Sequence, residues 1–272
     1  MQRGDCTVNG IDKRLIKNII PKLSFTFPYS VEDYVANLYF ENYHCHKDFS
    51  NTSTPDSGEL IGKYTKRTHE LNGKCLFSGE HGSQGNQFHV YTVSENEKLK
   101  YRHSTEAYWV KNRFEKDRTN CHMMIIAKND EGRKDINFAL SMANIDGYYY
   151  KPRIDLDLLM KIPEDNVIVT SACIAGWKYE DAEDIWIKIA EHFGENFFLE
   201  VQTNNTDPQK ELNEKILRIA EENRIQIICG LDSHYISEEG QIKRDQILKY
   251  KKISYPEEFG WYMDYPDSNT II

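Results

Sequence analysis

Short apolar runs alternate along the chain with longer stretches that have helical character. Seven runs have the length and composition of strands: Leu38–His44, Cys75–Gly79, Tyr101–Val110, His122–Ala127, Val167–Ser171, Phe197–Val201 and Ile225–Gly230. Five other stretches are predicted to be helices: Ser57–Leu71, Arg133–Ala143, Ala182–His192, Pro208–Asn223 and Glu238–Tyr250. This alternation predicts an α/β fold with parallel strands. The pattern suits a closed barrel and an open doubly wound sheet equally well.

The two ends of the chain differ from its middle. Residues 1–37 form a weakly basic lead-in of unknown role, in which Ile16, Ile19 and Ile20 could line one face of a short helix. Residues 253–272 are rich in aromatic residues and have no helical period. Such an apolar tail is expected to pack either on this chain or on a partner. We therefore divide the chain into a lead-in (1–37), a central domain (38–252) and an aromatic tail (253–272).

Composition and charge narrow the class of protein. Hydrophobic residues make up 39% of the 272 residues, which is enough for a sizeable core. No apolar run approaches the roughly 18 residues of a membrane helix, and the N-terminus lacks the apolar segment of a secretory signal. We therefore expect a cytoplasmic protein that does not enter membranes. The formal net charge of −9 argues against a free-standing, non-specific DNA-binding protein, because such binding depends on Lys and Arg.

Three pairs of polar side chains lie at or just after the ends of predicted strands. They are His44 with His46, Glu80 with His81, and Asp232 with His234. Residues i and i+2 of a strand point to the same side, so the first and last pairs each present two ligand groups together. Each pair alone could be ordinary strand residues or a solvated loop. Because ligands of parallel α/β folds bind at these strand ends, the three pairs together favour a metal site.

Three further residues are competent metal ligands and lie in or beside predicted strands: Glu106, His122 and Cys173. The six cysteines of the chain include no CxxC pair, which argues against a structural zinc ribbon and against dithiol redox chemistry. Taken alone, Cys173 could equally be a small core residue, which is the usual place of a free cysteine.

These residues occur in motifs that resemble one known family, the polymerase and histidinol phosphatase (PHP) domains. The resemblance is greatest to the PHP domain of bacterial and phage DNA polymerase III alpha subunits, and it extends over roughly residues 41–265. The motifs that carry it are His44-Cys45-His46, Glu80-His81-Gly82, Glu106-Ala107-Tyr108, His122 with Ala127-Lys128-Asn129, Tyr149 to Asp155, Cys173, and Asp232-Ser233-His234. Two departures stand out: Glu80 replaces the usual Asp of the family, and the HxH motif follows an unexplained lead-in.

The resemblance implies a fold and a set of metal ligands. The fold would be a distorted seven-stranded (β/α) TIM-like barrel with metals at the C-terminal strand ends. His44, His46, Glu106 and Asp232 would hold one metal; Glu106 would bridge to a second, held by His122 and Cys173; Asp56, His81 and His234 would hold a third. Asp48 competes with Asp56, because the segment after the HxH motif is longer here than is usual in the family.

The resemblance also implies hydrolysis of phosphoesters, with Glu106 and Asp232 at the catalytic centre. Two or three divalent ions (Zn, Mn or Fe) would activate a water and clamp the phosphoryl oxygens. Lys151 and Arg153 could bind a substrate phosphate, although a solvated loop is an equally good interpretation. Beside a polymerase, the natural role would be a 3′–5′ proofreading exonuclease that acts on a DNA 3′ end or another nucleotide phosphoester.

Two other functions stay open. One is a non-catalytic module that stabilises or docks a polymerase, since some relatives have lost their ligands. The chain is too short for a polymerase palm, so the DNA polymerase module would be a partner missing from this chain. The other is a free-standing small-molecule phosphatase, which the polymerase-type motifs disfavour. Metal analysis together with a phosphoesterase assay would discriminate best among these functions.

Overall fold

A computed structural model describes residues 7–8, 11–12, 40–50, 56–119, 121–255, 258 and 261–267. Most of the lead-in, with the helix predicted around Ile16, Ile19 and Ile20, lies outside the described residues, and so do residues 268–272 of the aromatic tail. The two short strands of the lead-in that are described, Thr7–Val8 and Ile11–Asp12, pair in antiparallel fashion.

The described elements agree with most of the predicted ones. The strands are β1 Thr7–Val8, β2 Ile11–Asp12, β3 Cys75–Phe77, β4 Glu80–His81, β5 Lys100–Arg102, β6 Ser104–Trp109, β7 Cys121–Ala127, β8 Arg153–Ile154, β9 Val167–Thr170, β10 Phe197–Gln202 and β11 Gln226–Gly230. The α-helices are α1 Ile61–Glu70, α2 Gln87–Glu97, α3 Asp130–Ile145, α4 Leu156–Leu159, α5 Ala182–Phe193, α6 Asp207–Asn223 and α7 Glu238–Lys251. None of these described helices is long and apolar enough to span a membrane.

The main sheet has the strand order β11-β10-β9-β7-β6-β4, with β8 beside β6. Most neighbours are parallel, as predicted, but β7 runs antiparallel to both β6 and β9. Strands β3 and β5 form a separate parallel pair. The fold is therefore a mixed α/β fold. The closed barrel is not confirmed, because the ladder formed by the described strands ends at β11 on one side and at β4 on the other.

The segment of residues 43–46 lies between these two edges. Cys45 forms a parallel bridge with Ser233, and the flanking hydrogen bonds run from His46 N to Ser233 O (2.7 Å) and from Ser233 N to His44 O (3.0 Å). On the other side, a Cβ atom on Gly79 would come within 3.0 Å of the Cys45 carbonyl oxygen, so glycine permits this close approach. In place of the strand predicted over Leu38–His44, residues 40–46 contribute a single bridge.

Two apolar cores lie on opposite faces of the sheet. Along β7, Met123 and Ile125 join the larger core beneath α3, α5 and α6, whereas Met124 and Ile126 join a smaller core that includes Tyr43. This alternation is the period of two expected of a strand. Glu106 of β6 is paired with Met124, and so it lies on the face of the smaller core. That face leads to the candidate site.

The described part of the aromatic tail packs on the central domain. The side chains of Met263 and Tyr265 are buried, whereas Tyr262 is 53% exposed. The backbone N–H groups of His234 and Tyr235 donate to the Met263 carbonyl at 2.8 and 3.2 Å. The tail therefore contacts the same loop that carries Asp232 and His234.

Candidate metal centre

The ligands that the sequence predicts come from separate segments that meet on one face of the sheet. They are His44 and His46 of the 43–46 segment, Asp56 before α1, His81 of β4, Glu106 of β6, His122 of β7, Cys173 after β9, and Asp232 and His234 after β11. Asp232 has a φ of 50°. This left-handed conformation costs roughly 1–2 kcal/mol for an L-residue, and such strain clusters at functional sites.

The first group of ligands surrounds the HxH pair. His44 Nε2 lies 3.1 Å from Glu106 Oε1 and 3.3 Å from Asp232 Oδ1. His46 Nε2 lies 3.0 Å from Asp232 Oδ1 and 3.3 Å from Glu106 Oε2. Two imidazoles and two carboxylates thus converge, and all four side chains are buried. This is the set of four residues predicted for one metal.

The second group shares Glu106 with the first. His122 Nδ1 lies 3.0 Å from Glu106 Oε1, and His81 Nδ1 lies 2.5 Å from Glu106 Oε2. The thiol of Cys173 is 3.5 Å from His122 Nδ1 and 3.8 Å from Glu106 Oε1. The structure therefore brings Cys173 to the edge of this group, and it adds His81, which the family resemblance implies for the third metal only.

The third group contains His46, His81 and His234. Asp56 joins it: its Oδ2 lies 2.6 Å from His81 Nε2 and 3.0 Å from His234 Nε2. Among the described residues, no ion pair joins Asp48, the competing acidic residue, to these histidines, whereas Asp56 pairs with two of them. The structure thus brings Asp56, and not Asp48, to the cluster.

Several buried atoms at the centre make no hydrogen bond, although they face one another. They are His46 Nε2, His81 Nδ1, Glu106 Oε2 and Asp232 Oδ1. Buried polar atoms that make no hydrogen bond are rare in proteins, and they call for an explanation. Imidazole nitrogen, carboxylate oxygen and thiol sulfur are the ligands of transition metals such as zinc. The residues present therefore fit bound divalent metal ions.

The pKa values of the histidines also indicate a site that favours positive charge. Burial alone would lower the pKa of His44, but the Glu200, Asp232 and Glu106 carboxylates outweigh it and hold this pKa well above its usual value. For His234, burial is likewise outweighed, here by Asp56 and Asp232, and the pKa is raised. In the absence of metal, the buried carboxylates therefore favour protonated, positively charged histidines at this site. A bound metal ion would supply the same positive charge.

The carboxylates show the reciprocal effect. Burial would raise the pKa of Glu106, but His122, His81 and His44 lower it well below its usual value. The pKa of Asp56 is lowered in the same way, against burial, by His234 and His81. In contrast, burial and the nearby Asp232 and Glu106 raise the pKa of Cys173 well above that of a free thiol. Cys173 would therefore become a thiolate ligand only with a cation beside it.

The sequence profile of one family, the PHP domain, matches residues 42–204. The chain belongs to this family. Related sequences include the DNA polymerase III alpha subunits of Aquifex aeolicus (30% identical over 219 residues, 74% of this chain) and Borreliella burgdorferi (28% identical over 225 residues, 77% of this chain). The chain spans only 18% and 19% of the length of these two relatives. The predicted family is thus confirmed.

Among solved structures, one similar chain is described as a putative metal-dependent phosphoesterase from Bifidobacterium adolescentis. It is 14% identical, with a TM-score of 0.46, and the match covers 70% of this PHP chain and 86% of that one. Another is described as an amidohydrolase from Chromobacterium violaceum, which is 10% identical with a TM-score of 0.43 over the same shares of the two chains.

The two residues predicted to bind substrate have different surroundings in this PHP domain. The Arg153 guanidinium is buried and donates to the carbonyl oxygens of Gly147, Asp117 and Arg113 at 2.7–2.9 Å. Lys151 is half-buried, and its Nζ lies 3.2 Å from the Tyr108 hydroxyl. Arg153 thus stabilises the backbone around it. Lys151 instead lines an open cavity of about 630 Å³, together with Gly82.

Tyr108 connects Lys151 with the centre. Its ring stacks on the His81 ring at a centroid distance of 5.7 Å, and the Lys151 ammonium lies 4.8 Å from the Tyr108 ring centroid. Of the residues that line the cavity, Gly82 directly follows the candidate ligand His81.

Two buried carboxylates behind the ligands did not enter the predicted ligand set. Glu80 accepts from Ser50 Oγ at 2.5 Å, and Ser50 Oγ lies 3.0 Å from His46 Nδ1. Glu200 lies 2.7 Å from His44 Nδ1. The sequence marks Glu80 both as the polar neighbour of His81 and as a departure from the family motif. A signal for Glu200 existed in the sequence, since an acidic residue within the apolar run Phe197–Val201 is unexpected without a partner.

Proposed function

We propose that this PHP domain is a metal-dependent phosphoesterase that hydrolyses phosphodiester bonds and acts as a 3′–5′ exonuclease on DNA beside a polymerase module. The observation that carries the proposal is the buried set His44, His46, Glu106 and Asp232, in which His46 Nε2, Glu106 Oε2 and Asp232 Oδ1 face one another without hydrogen bonds. A purely structural core would not place so many electron-pair donors together, because their burial without partners costs free energy.

In this proposal, each ligand group holds one divalent ion. His44, His46, Asp232 and Glu106 hold the first; Glu106, His122 and Cys173 hold the second; Asp56, His81 and His234 hold the third. When bound, the ions supply Lewis-acid activation of water and neutralise charge on a phosphoryl oxygen. Zinc, manganese and iron all suit this mixture of imidazole, carboxylate and thiol ligands.

The chain's own side chains set the rest of the chemistry. Glu106 and Asp232 are at the catalytic centre, where their lowered pKa values keep both carboxylates ionised near neutral pH. Lys151 contacts Tyr108, whose ring stacks on the candidate ligand His81, and in this proposal the Lys151 ammonium orients a substrate phosphate. No side-chain nucleophile is required.

The polymerase context rests on the relatives, which are DNA polymerase III alpha subunits. It also supports the second candidate function, a non-catalytic module that stabilises or docks a polymerase. The converged ligands favour the active function, because a structural module has no need of a complete metal-binding set.

A direct test measures metal content and hydrolysis on the same sample. The protein, reconstituted with zinc or manganese, is expected to bind two or three ions by elemental analysis. It should also hydrolyse bis-p-nitrophenyl phosphate and shorten single-stranded DNA from the 3′ end, as followed with a 5′ label. Glu106→Gln should abolish hydrolysis while the protein remains folded, because Glu106 contacts four of the histidines.

The matched control is Glu131→Gln, which removes a carboxylate from the exposed surface of α3. It should leave both metal content and hydrolysis unchanged. Less than one ion per chain after reconstitution would refute the metal centre. Full metal content without any hydrolysis would instead support the non-catalytic module.

A further inference from the structure

Glu200 of β10 is a completely enclosed carboxylate with four hydrogen-bond partners. Its Oε1 lies 2.7 Å from His44 Nδ1 and accepts from Gln202 Nε2 at 2.9 Å. Its Oε2 accepts from the Tyr43 hydroxyl at 2.7 Å and from the Thr170 hydroxyl at 2.9 Å. Glu200 is only 1% exposed, so no solvent competes for these bonds.

The bonds to Glu200 fix the role of each ring nitrogen of His44. Hydroxyl and amide groups can donate to both carboxylate oxygens, which matches the acceptor-only form of a carboxylate. His44 Nδ1 must then donate, and therefore Nε2 carries the free electron pair whenever the ring is neutral. That atom is the one that faces Glu106 and Asp232 at 3.1 and 3.3 Å.

The backbone makes room for this carboxylate. Gly230 of β11 is in register with Gln202 of β10. A Cβ atom on Gly230 would lie 2.0 Å from Glu200 Oε1, which is far inside van der Waals contact. Only glycine at this position therefore leaves the Glu200 carboxylate where it meets His44.

We propose that Glu200 is a positioning residue of the metal centre. By accepting the hydrogen bond of His44 Nδ1, Glu200 holds the imidazole in the tautomer and orientation in which Nε2 binds a divalent ion. The inference rests on the proposed function only in so far as His44 is a metal ligand. A carboxylate that orients a metal-bound histidine in this way typically changes metal affinity by roughly 10- to 100-fold.

The test replaces the carboxylate by its amide. Glu200→Gln keeps the shape of the side chain, but its amide can donate to Nδ1 and thereby favour the tautomer with hydrogen on Nε2. We expect zinc affinity, measured by competition with a chelator, to fall by roughly 10- to 100-fold. The melting temperature of the metal-free protein should change much less than the melting temperature with zinc.

Tyr43→Phe is the matched control, because it removes one of the four bonds to the same carboxylate and leaves the bond to His44 intact. Its zinc affinity should stay far closer to wild type. Gly230→Ala, which displaces Glu200 without removing any polar group, should weaken zinc binding as Glu200→Gln does. In the zinc-loaded wild type, ¹⁵N NMR should show the His44 proton on Nδ1, and this readout does not require any variant to fold.

The inference is overturned if Glu200→Gln binds zinc as tightly as wild type, if Tyr43→Phe loses as much affinity, or if the His44 proton is found on Nε2. Wild-type protein that binds zinc with this dependence on Glu200 but hydrolyses no phosphodiester would refute the proposed activity and leave the role of Glu200 standing. Wild-type protein that binds no zinc would refute both.

Discussion

Glu106 contacts four histidines of the candidate centre. Its Oε1 faces His44 and His122, and its Oε2 faces His46 and His81. A single carboxylate with this many imidazole neighbours can bridge two cations, whereas one ion pair would satisfy it in an ordinary core. Asp56 plays a comparable part at the third group, where one of its oxygens faces both His81 and His234.

The assignment of Asp56 can be tested against the other acidic candidate of the same segment. Arg244 holds Asp56 in place by donating to its carbonyl at 2.6 Å and to Oδ1 at 3.3 Å. Asp56→Asn should reduce the zinc or manganese content by about one ion per chain, since a neutral amide is a poor ligand for these cations. Asp48→Asn should leave the content unchanged. Elemental analysis of both variants decides, and equal losses would contradict the assignment.

The sequence identified the side chains that converge at the candidate centre, but not the residues that support them from behind. Candidate ligands such as His44 and Asp232 lie in short motifs that can be recognised in the sequence. Glu200 supports His44 from 156 positions away along the chain, and only the fold shows this proximity. For Arg153 the sequence suggested substrate binding. In the structure its guanidinium donates to three backbone carbonyl oxygens instead.

At the scale of elements, apolar runs located the strands but not their directions. The alternation of Met123 to Ile126 is the same whichever way β7 runs, and so its antiparallel pairing with β6 and β9 could not be predicted from it. The single strand predicted over Tyr101–Val110 divides at His103 into β5 and β6, which belong to different sheets.

Helix α2 was not predicted for a related physical reason. Its sequence, Gln87–Glu97, contains several β-branched and aromatic residues and lacks an apolar stripe. Val90 and Ser94 are the residues it buries, whereas Phe88 is exposed. Tertiary contacts, rather than local preference, must stabilise this helix.

The aromatic tail supplies a prediction at this scale. Tyr265 is 2% exposed and Tyr262 is 53% exposed, three positions apart. Tyr265→Ala should destabilise the domain by roughly 3–5 kcal/mol, the usual cost of truncating a buried aromatic residue. Tyr262→Ala should change the stability little. Urea unfolding of the two variants measures the difference.

The same two variants test whether the aromatic tail packs only on this chain or also docks onto a polymerase partner. If Tyr262→Ala weakens binding to a polymerase core while stability is unchanged, the exposed side of the tail docks a partner. If the Tyr265→Ala variant unfolds at the same urea concentration as wild type, packing of the tail on the central domain does not stabilise it.

At the scale of the whole molecule, whose net charge is −9, several carboxylates are buried at the candidate centre. Residues Asp56, Glu80, Glu106, Glu200 and Asp232 are all buried carboxylates on or behind the ligand cluster. Buried carboxylates need compensating positive charge, which protons or metal ions can provide. The stability of the domain should therefore depend on pH and on metal together.

The signs follow from the pKa shifts. His44, His81 and His234 have pKa values raised above the usual 6.5. Their contribution to stability is fully present below pH 6.5 and is lost as pH rises through the raised values. Glu106 and Asp56 have pKa values lowered from 4.5 and 3.8. Their contribution is present above those values and is lost as pH falls through the lowered ones.

The metal-free protein should therefore be most stable between about pH 4.5 and 6.5 and should lose stability towards pH 8. Metal ions replace the histidine protons, so each proton released on binding strengthens binding by about 1.4 kcal/mol per pH unit. The difference in melting temperature between the manganese-loaded protein and the protein in EDTA should consequently widen from pH 6 to pH 8. Thermal unfolding between pH 6 and pH 8 measures this difference. In the Glu106→Gln variant the widening should largely disappear. A difference that stays constant or narrows would show that the histidine cluster does not exchange protons for metal.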